Sequence, residues 1–159
     1  MITIQKEQNG NNLNIKMSGS FDESVDLFKL IGEPPFCGEM VVDCQGVKRQ
    51  NSTGVKNWVK YFQYVNSKNT TVRFINCSTA IVDQFNLVAN FGGGGKVESM
   101  FAPYSCVKCE SELVALFKTE DIKRMQFKIP DGKCGKCSNK LVFDDIAEEY
   151  FAFMIKGLQ

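Results

Sequence analysis

Two pairs of cysteines have the spacing of metal ligands. Cys106 and Cys109 are separated by two residues, as are Cys134 and Cys137, and 24 residues lie between the pairs. Each pair can bring two thiolates to one ion, at about 2.3 Å from zinc, and two pairs complete a tetrahedron. Four thiolates suit zinc and leave no coordination position open, so the spacing predicts one structural zinc ion.

The residues between the cysteine pairs predict the form of this site. ELVALFK and MQFKIP have the composition of strands, so we expect a zinc ribbon over residues 106–140. Two unliganded pairs or a disulfide are the alternatives, and a reducing cytosol disfavours them. A zinc-thiolate redox sensor, in which oxidation ejects the metal, stays open as a function.

Zinc ribbons can also bind nucleic acid, and the composition of this segment argues against that function. Residues 106–137 contain seven Lys or Arg and five Asp or Glu, and four thiolates with a dication cancel this excess. Only Phe117 and Phe127 lie between the cysteine pairs as platforms on which bases could stack. A nucleic-acid-binding zinc-ribbon protein is therefore the alternative function and not the leading one.

A second group of chemically suited residues is Asn51-Ser52-Thr53-Gly54, which joins a run of β-formers to an amphipathic stretch beginning near Gly54. The hydroxyl of Ser52 or Thr53 could close the first turn of a helix, which is worth about 1 kcal/mol. Alternatively, a hydroxyl here could be presented to a partner at the positive end of the helix dipole.

The composition of the chain excludes several function classes. Its 159 residues include no histidine, which removes Ser-His and Cys-His nucleophile pairs and histidine-ligated catalytic zinc, so we expect no enzyme. Nineteen basic and eighteen acidic residues leave no net field for nucleic acid or anionic lipid. No apolar run reaches membrane length, and MITIQKEQNG lacks the features of a signal peptide. We therefore expect a cytoplasmic protein without a membrane partner, whose cysteines are reduced or bind metal.

The elements that must position these residues alternate along the chain. ITIQKEQ and LNIKMSG predict a hairpin, and GEMVVDCQG, TTVRFINC and KVESMFAPY predict further strands, the first of them covered on both faces. Helices are expected to begin at Asp22, near Gly54 and at Ser78, and a last one opens with Asp145 and Glu148 as a capping box. This order predicts an α/β fold in which helices pack on a mixed sheet of about four or five strands.

Three stretches, MSGSFDES, VVDCQGVKRQNSTG and RFINCSTAIVDQFNLV, together resemble the STAS domain, a module shared by sulphate transporters and bacterial anti-sigma factor antagonists. In that family a strand ends in a Gly-x-x-Asp turn, matched here by Gly19 and Asp22. A central strand is followed by Asp-Ser-Ser-Gly, where this chain has residues 51–54. The resemblance covers residues 1–105 and 141–159, so that residues 106–140 form an inserted zinc ribbon.

The resemblance implies a non-enzymatic protein-interaction module in signalling. In the antagonist branch a partner kinase, the anti-sigma factor, phosphorylates the first serine of the motif, and Ser52 occupies that position. The implied partner surface comprises Asp22, Asn51, Ser52 and Thr53, and the implied partner is such a kinase or another signalling protein. Asn51 departs from the family's aspartate, which removes a charge beside the hydroxyl. A phosphate at Ser52 would meet free N–H groups and change a docking surface by nearly two charges.

Overall fold

The fold begins with the predicted hairpin. β1 (Ile2–Asn9) and β2 (Asn12–Phe21) pair antiparallel. Three more strands follow in parallel, β3 (Glu39–Gln50), β4 (Thr71–Ile75) and β5 (Lys96–Val97), and the strand order is β1-β2-β3-β4-β5. These five strands are called the first sheet, and they confirm the predicted mixed sheet of four or five strands.

Helices connect the parallel strands: α1 (Leu27–Leu30), α2 (Ser52–Ser67) and α3 (Thr79–Leu87). The strand order runs in one direction, so right-handed crossovers place every connecting helix on the same face. Accordingly, buried Met40, Val42 and Cys44 alternate along β3 with residues that are partly exposed. The prediction that this strand is covered on both faces is wrong, because covering the second face requires the strand order to reverse.

Aromatic side chains fill the space between the first sheet and its helices. Trp58 of α2 is completely buried, and its ring stacks on Phe91 with centroids 5.1 Å apart. Phe74 of β4 lies 5.8 Å from Trp58 and 5.5 Å from Phe85 of α3, ring centroid to ring centroid. The predicted packing of these two helices on one sheet face is confirmed.

A second sheet contains β6 (Ser99–Cys106), β7 (Glu112–Lys118), β8 (Gly132–Lys133) and β9 (Lys140–Phe143). Its strands pair antiparallel in the order β7-β6-β9-β8. β6 follows β5 after the single residue Glu98, so one chain segment leaves the first sheet and enters the second.

Three short helices complete the described chain: α4 (Thr119–Arg124) contacts β7, and α5 (Ala147–Tyr150) and α6 (Ala152–Ile155) both contact α3. The segment MQFKIP forms a turn after α4, with Gln126 at φ 55° and Phe127 at φ 62°, so its prediction as a strand is wrong. Residues in this left-handed region end a helix and cannot continue an extended strand.

The predicted helix beginning at Asp22 is also wrong in its start. Asp26 caps α1 by accepting hydrogen bonds from the N–H groups of Phe28, at 3.0 Å, and Lys29, at 3.3 Å. Asp22 instead accepts from the N–H of Ser24, at 2.9 Å, within the loop after β2. The helical segment is therefore a single turn.

Two further predicted caps have different outcomes. The hydroxyl oxygen of Ser78 accepts from the N–H of Ile81, at 3.3 Å, as predicted for the start of α3. The capping box of Asp145 and Glu148 is wrong, because Ile146 precedes α5 and no side chain caps that helix.

The structure is a computed structural model and describes residues 1–157, so the last two residues of the predicted segment 141–159 lie outside it. Among the described residues, no helix combines the length and the apolar character needed to cross a membrane.

Candidate metal centre and the start of helix α2

Each cysteine pair lies in a turn at a strand end of the second sheet. Cys106 is the last residue of β6, and the N–H of Cys106 donates to the carbonyl of Ser111, at 3.0 Å. Cys134 directly follows β8, and its N–H donates to the carbonyl of Asn139, at 2.8 Å. The two turns thus close with the same hydrogen bond, between the first cysteine and the residue five positions later.

Both turns have a residue with positive φ at the same position, and a backbone hydrogen bond connects the first turn to β9. Glu110 and Ser138, each four positions after the first cysteine of its turn, have φ values of 58° and 63°. The N–H of Val107 donates to the carbonyl of Lys140, at 3.1 Å, and so connects the first turn to β9. The second sheet therefore brings two equivalent turns face to face.

The four predicted ligand atoms converge. The Sγ atoms of Cys106, Cys109, Cys134 and Cys137 all lie within 4.8 Å of one another. Cys106 and Cys137 are 3.4 Å apart, and Cys109 and Cys134 are 3.7 Å apart, sulfur to sulfur. Tetrahedral thiolate ligands of zinc are about 3.8 Å apart, whereas a disulfide requires about 2.05 Å. These four cysteines could hold one metal ion.

Polar neighbours favour the thiolate form of two of the ligands. The Ser111 hydroxyl lies 3.1 Å from Cys109 Sγ, and hydrogen bonds from the Ser111 side chain and backbone lower the pKa of Cys109 to about 6. The Asn139 amide donates to Cys137 Sγ, at 3.4 Å, and lowers the pKa of that thiol. Metals bind the thiolate, so both contacts prepare the site for a cation.

Sequence reasoning missed Ser111 and Asn139, although the sequence contains a signal for them. Each lies two positions after the second cysteine of its pair. A polar residue at the same offset in both turns marks an outer set of hydrogen bonds, which commonly orients metal ligands.

The second candidate site lies at the start of α2, and Asn51 is the residue that caps this helix. Its Oδ1 accepts from the N–H of Gly54, at 2.8 Å, and α2 starts at Ser52. The interpretation of Ser52 or Thr53 as the cap is therefore wrong. Asn51, Ser52 and Thr53 are all exposed.

Contacts with the loop after β2 explain why Asn51 has this role. Its backbone N–H donates to the carbonyl of Phe21, at 3.0 Å, and its Nδ2 donates to a carboxylate oxygen of Glu23, at 2.7 Å. Asp22 lies between these two residues and is partly exposed. The contact to Glu23 crosses 28 positions of sequence, so no local pattern could have indicated it.

Gly54 has a packing reason to be glycine. A Cβ atom at this position would lie 2.5 Å from the carbonyl oxygen of Phe21, closer than atoms can approach. The start of α2 is therefore pressed against the end of β2. This close approach brings Asp22, Asn51, Ser52 and Thr53 together beyond the carboxyl ends of β2 and β3, where α2 begins.

No protein-family model matches this chain, and a search among curated proteins finds no significant match. The function has to be inferred from the geometry of the two sites.

Proposed function

We propose that this chain is a non-enzymatic, cytoplasmic protein-interaction module that resembles the anti-sigma factor antagonists of the STAS family. The observation that carries the proposal is the exposed Ser52 in the first turn of α2, joined through Asn51 to the loop that contains Asp22. The loop after β2 and the first turn of α2 thus present polar groups on one surface, outside the hydrophobic core. Its partner is a protein: an anti-sigma kinase or another signalling protein.

Phosphorylation of Ser52 is the proposed switch. The first N–H groups of a helix have no partner within the helix, and the Asn51 side chain satisfies that of Gly54 alone. The first turn of α2 contains no acidic residue, so no carboxylate of the helix itself competes with a phosphate for the positive end of the helix dipole.

The same phosphate would disturb the neighbouring loop. It adds about −1.5 to −2 charges at pH 7. Glu23 carries a negative charge against Asn51, the residue next to Ser52. Repulsion between the phosphate and Glu23 would loosen the contact that holds the Asp22 loop against α2. The proposed result is a change in both the charge and the shape of the docking surface.

The metal in this proposal is one zinc ion with a structural role. Four cysteine ligands fill a tetrahedral zinc site and leave no position for water or substrate. The sulfur separations support this ligand set. Native mass spectrometry should find one zinc in each chain, and its absence from protein purified without chelator would contradict the assignment.

An affinity experiment with matched serine variants tests the switch. Immobilised wild-type and Ser52→Ala chains should retain the same protein partner from a lysate of the source cells, and Ser52→Asp should lose it. Ser67→Asp places the same charge at the exposed far end of α2 and should bind like wild type. Equal binding by Ser52→Asp and Ser67→Asp would contradict the proposed surface. Catalytic turnover, or binding to nucleic acid that weakens steeply with salt, would contradict the proposed class of function.

A further inference from the structure

The free edges of the two sheets differ in length and chemistry. β1, at one edge of the first sheet, is eight residues long and carries exposed Lys6 and Glu7. β5 and β8, at two other edges, contain two residues each. β7 is seven residues long and reads ELVALFK. Charged or very short edges resist pairing with another chain, whereas a long apolar edge invites it.

The register between β6 and β7 shows which backbone groups face away from the sheet. Two bonds lie at the ends of this ladder, from the N–H of Cys106 to Ser111 and from the N–H of Thr119 to Glu98. Hydrogen-bonded and non-bonded pairs alternate in an antiparallel ladder. The residues of β7 whose N–H and C=O groups point to the free edge are therefore Glu112, Val114, Leu116 and Lys118.

These residues also carry exposed apolar surface. Val114 is 56% exposed, and Leu116 is 51% exposed. On the other face of β7, Leu113 and Phe117 are half-buried, so part of their apolar surface is accessible to solvent. The free edge of β7 thus combines unpaired backbone groups with apolar side chains on both faces.

We propose that β7 pairs with β7 of a second copy of this chain. The two strands run antiparallel about a two-fold axis at Ala115. Glu112 then lies opposite the partner's Lys118, and Val114 lies opposite the partner's Leu116. The two second sheets join into one continuous sheet.

The sequence of β7 favours a second copy over a different chain, because the strand is complementary to itself. In this register each end of the pairing places a carboxylate opposite an ammonium group, since Glu112 and Lys118 are equidistant from Ala115. Opposite charges directly across two strands stabilise the pair, and like charges destabilise it.

The backbone agrees with the same register. Residues whose backbone N–H and C=O groups point to the free edge in one copy lie opposite such residues in the other copy, so these groups can form hydrogen bonds between the two strands. Between them, Leu113 meets the partner's Phe117 in a non-bonded pair, where side chains approach most closely. A slip by one residue would mismatch the backbone groups and turn the side chains to the wrong faces.

The assembly is closed at two copies. The pairing uses the same strand in both chains, as in other two-fold interfaces, and it leaves neither copy with a free β7. The remaining edges are the short or charged ones described above. A dimer, and no larger polymer, is the expected species.

Charge reversal with compensation tests this interface in the full metal-loaded chain. Sedimentation equilibrium from micromolar to near-millimolar concentration should show a monomer–dimer equilibrium for wild type. Lys118→Glu places two carboxylates opposite each other at both ends, so it should raise the dimer dissociation constant roughly tenfold or more. Glu112→Lys should do the same. The double variant Glu112→Lys/Lys118→Glu restores both opposite-charge pairs and should dimerise within about threefold of wild type.

Hydrogen exchange locates the contact. In the wild-type dimer, the amide hydrogens of Val114 and Leu116 should exchange roughly tenfold more slowly than in Lys118→Glu at a concentration where sedimentation shows that variant to be monomeric, while those of Leu113 and Ala115 should be protected in both. Ser52→Asp is the control and should dimerise like wild type, so this interface and the proposed switch can fail separately. A wild-type chain that is monomeric at every concentration, one that forms open-ended polymers, or a double variant that stays as weak as the single ones would each overturn the proposal.

Discussion

The two sheets contribute to one hydrophobic core, and among the described residues only the turns of the second sheet bring four sulfur atoms together. In the first sheet, α2 and α3 bury a continuous aromatic cluster in which Trp58 and Phe74 are completely shielded from solvent. In the second sheet, β8 contains two residues and β9 four, so few backbone hydrogen bonds connect the two cysteine turns. Four converging sulfur atoms lie at this end of the sheet, beside its shortest strands.

This difference shows what each kind of stabilisation requires of a sequence. Burial of a helix face needs apolar residues repeated over many positions, whereas a metal site needs four ligands and two turns. The two regions are nevertheless not independent. Ile122 lies between the cysteine pairs, yet it is completely buried in the same core cluster as Trp58.

Trp58→Ala should have the largest effect on stability. It removes the largest fully buried side chain among the described residues and leaves the carbonyl of Phe91, which accepts from the indole N–H at 3.1 Å, without that donor. We expect the free energy of unfolding, measured by denaturant titration, to fall by about 3–5 kcal/mol. Phe36→Ala removes an aromatic ring that is 66% exposed and should change it by less than about 0.5 kcal/mol. Similar effects of the two variants would contradict the aromatic core.

Ile122→Ala tests whether the residues between the cysteine pairs belong to that core. Because Ile122 is completely buried, we expect its truncation to cost about 2–4 kcal/mol in the same titration. Ile146→Ala, at a position that is 55% exposed, is the matched control and should cost less than about 0.5 kcal/mol. If Ile122→Ala leaves the main unfolding transition unchanged, residues 106–140 fold as a separate ribbon.

The features that the sequence predicted well are those that depend on spacing within one element. The repeat of Trp58, Phe62 and Val65 predicted α2, and these residues are buried. The spacing of the two cysteine pairs predicted a group of four sulfur atoms, and these atoms converge. In both cases the local pattern is a direct consequence of the structure.

The features that it missed depend on contacts between elements. Asn51, Ser52 and Thr53 can all cap a helix, and contacts of Asn51 with Phe21 and Glu23 select it. Strand β3 is equally apolar whether one face is covered or two, and the unidirectional strand order decides between them. Contacts between elements thus determine which residue caps α2 and how many faces of β3 are covered, and local propensity does not encode such contacts.

Asn51→Ala should have a moderate effect on the helical region. It removes the side chain that caps α2 and the contact with Glu23, so we expect a loss of about 1 kcal/mol of unfolding free energy. Ser52→Ala changes an exposed residue that does not cap the helix, and it should stay within about 0.5 kcal/mol of wild type. The opposite ranking would show that the Ser52 hydroxyl, and not the Asn51 amide, closes the first turn in solution.

Of the changes considered, removal of the metal should lower the stability of the core around Trp58 least. Its effect should be confined to the two cysteine turns. Hydrogen exchange after chelation, or in Cys109→Ser, should show loss of protection at residues 107–111 and 131–140, where the turns depend on the cysteines. The amide hydrogens of Leu113, Ala115 and Phe117 should stay protected, because these residues of β7 bond to β6. The unfolding free energy of the core should change by less than about 1 kcal/mol, because local unfolding at the periphery need not weaken it.

Cys37→Ser is the control for this experiment, because Cys37 is an exposed cysteine outside the sulfur cluster and its replacement should leave the metal content unchanged. Two outcomes would revise the contrast between the sheets. If chelation changes the exchange of no residue, the cysteine turns are stable without a metal and backbone pairing suffices. If it exposes Trp58, the metal stabilises the whole protein, and the connection through β6 and Ile122 carries that effect into the first sheet.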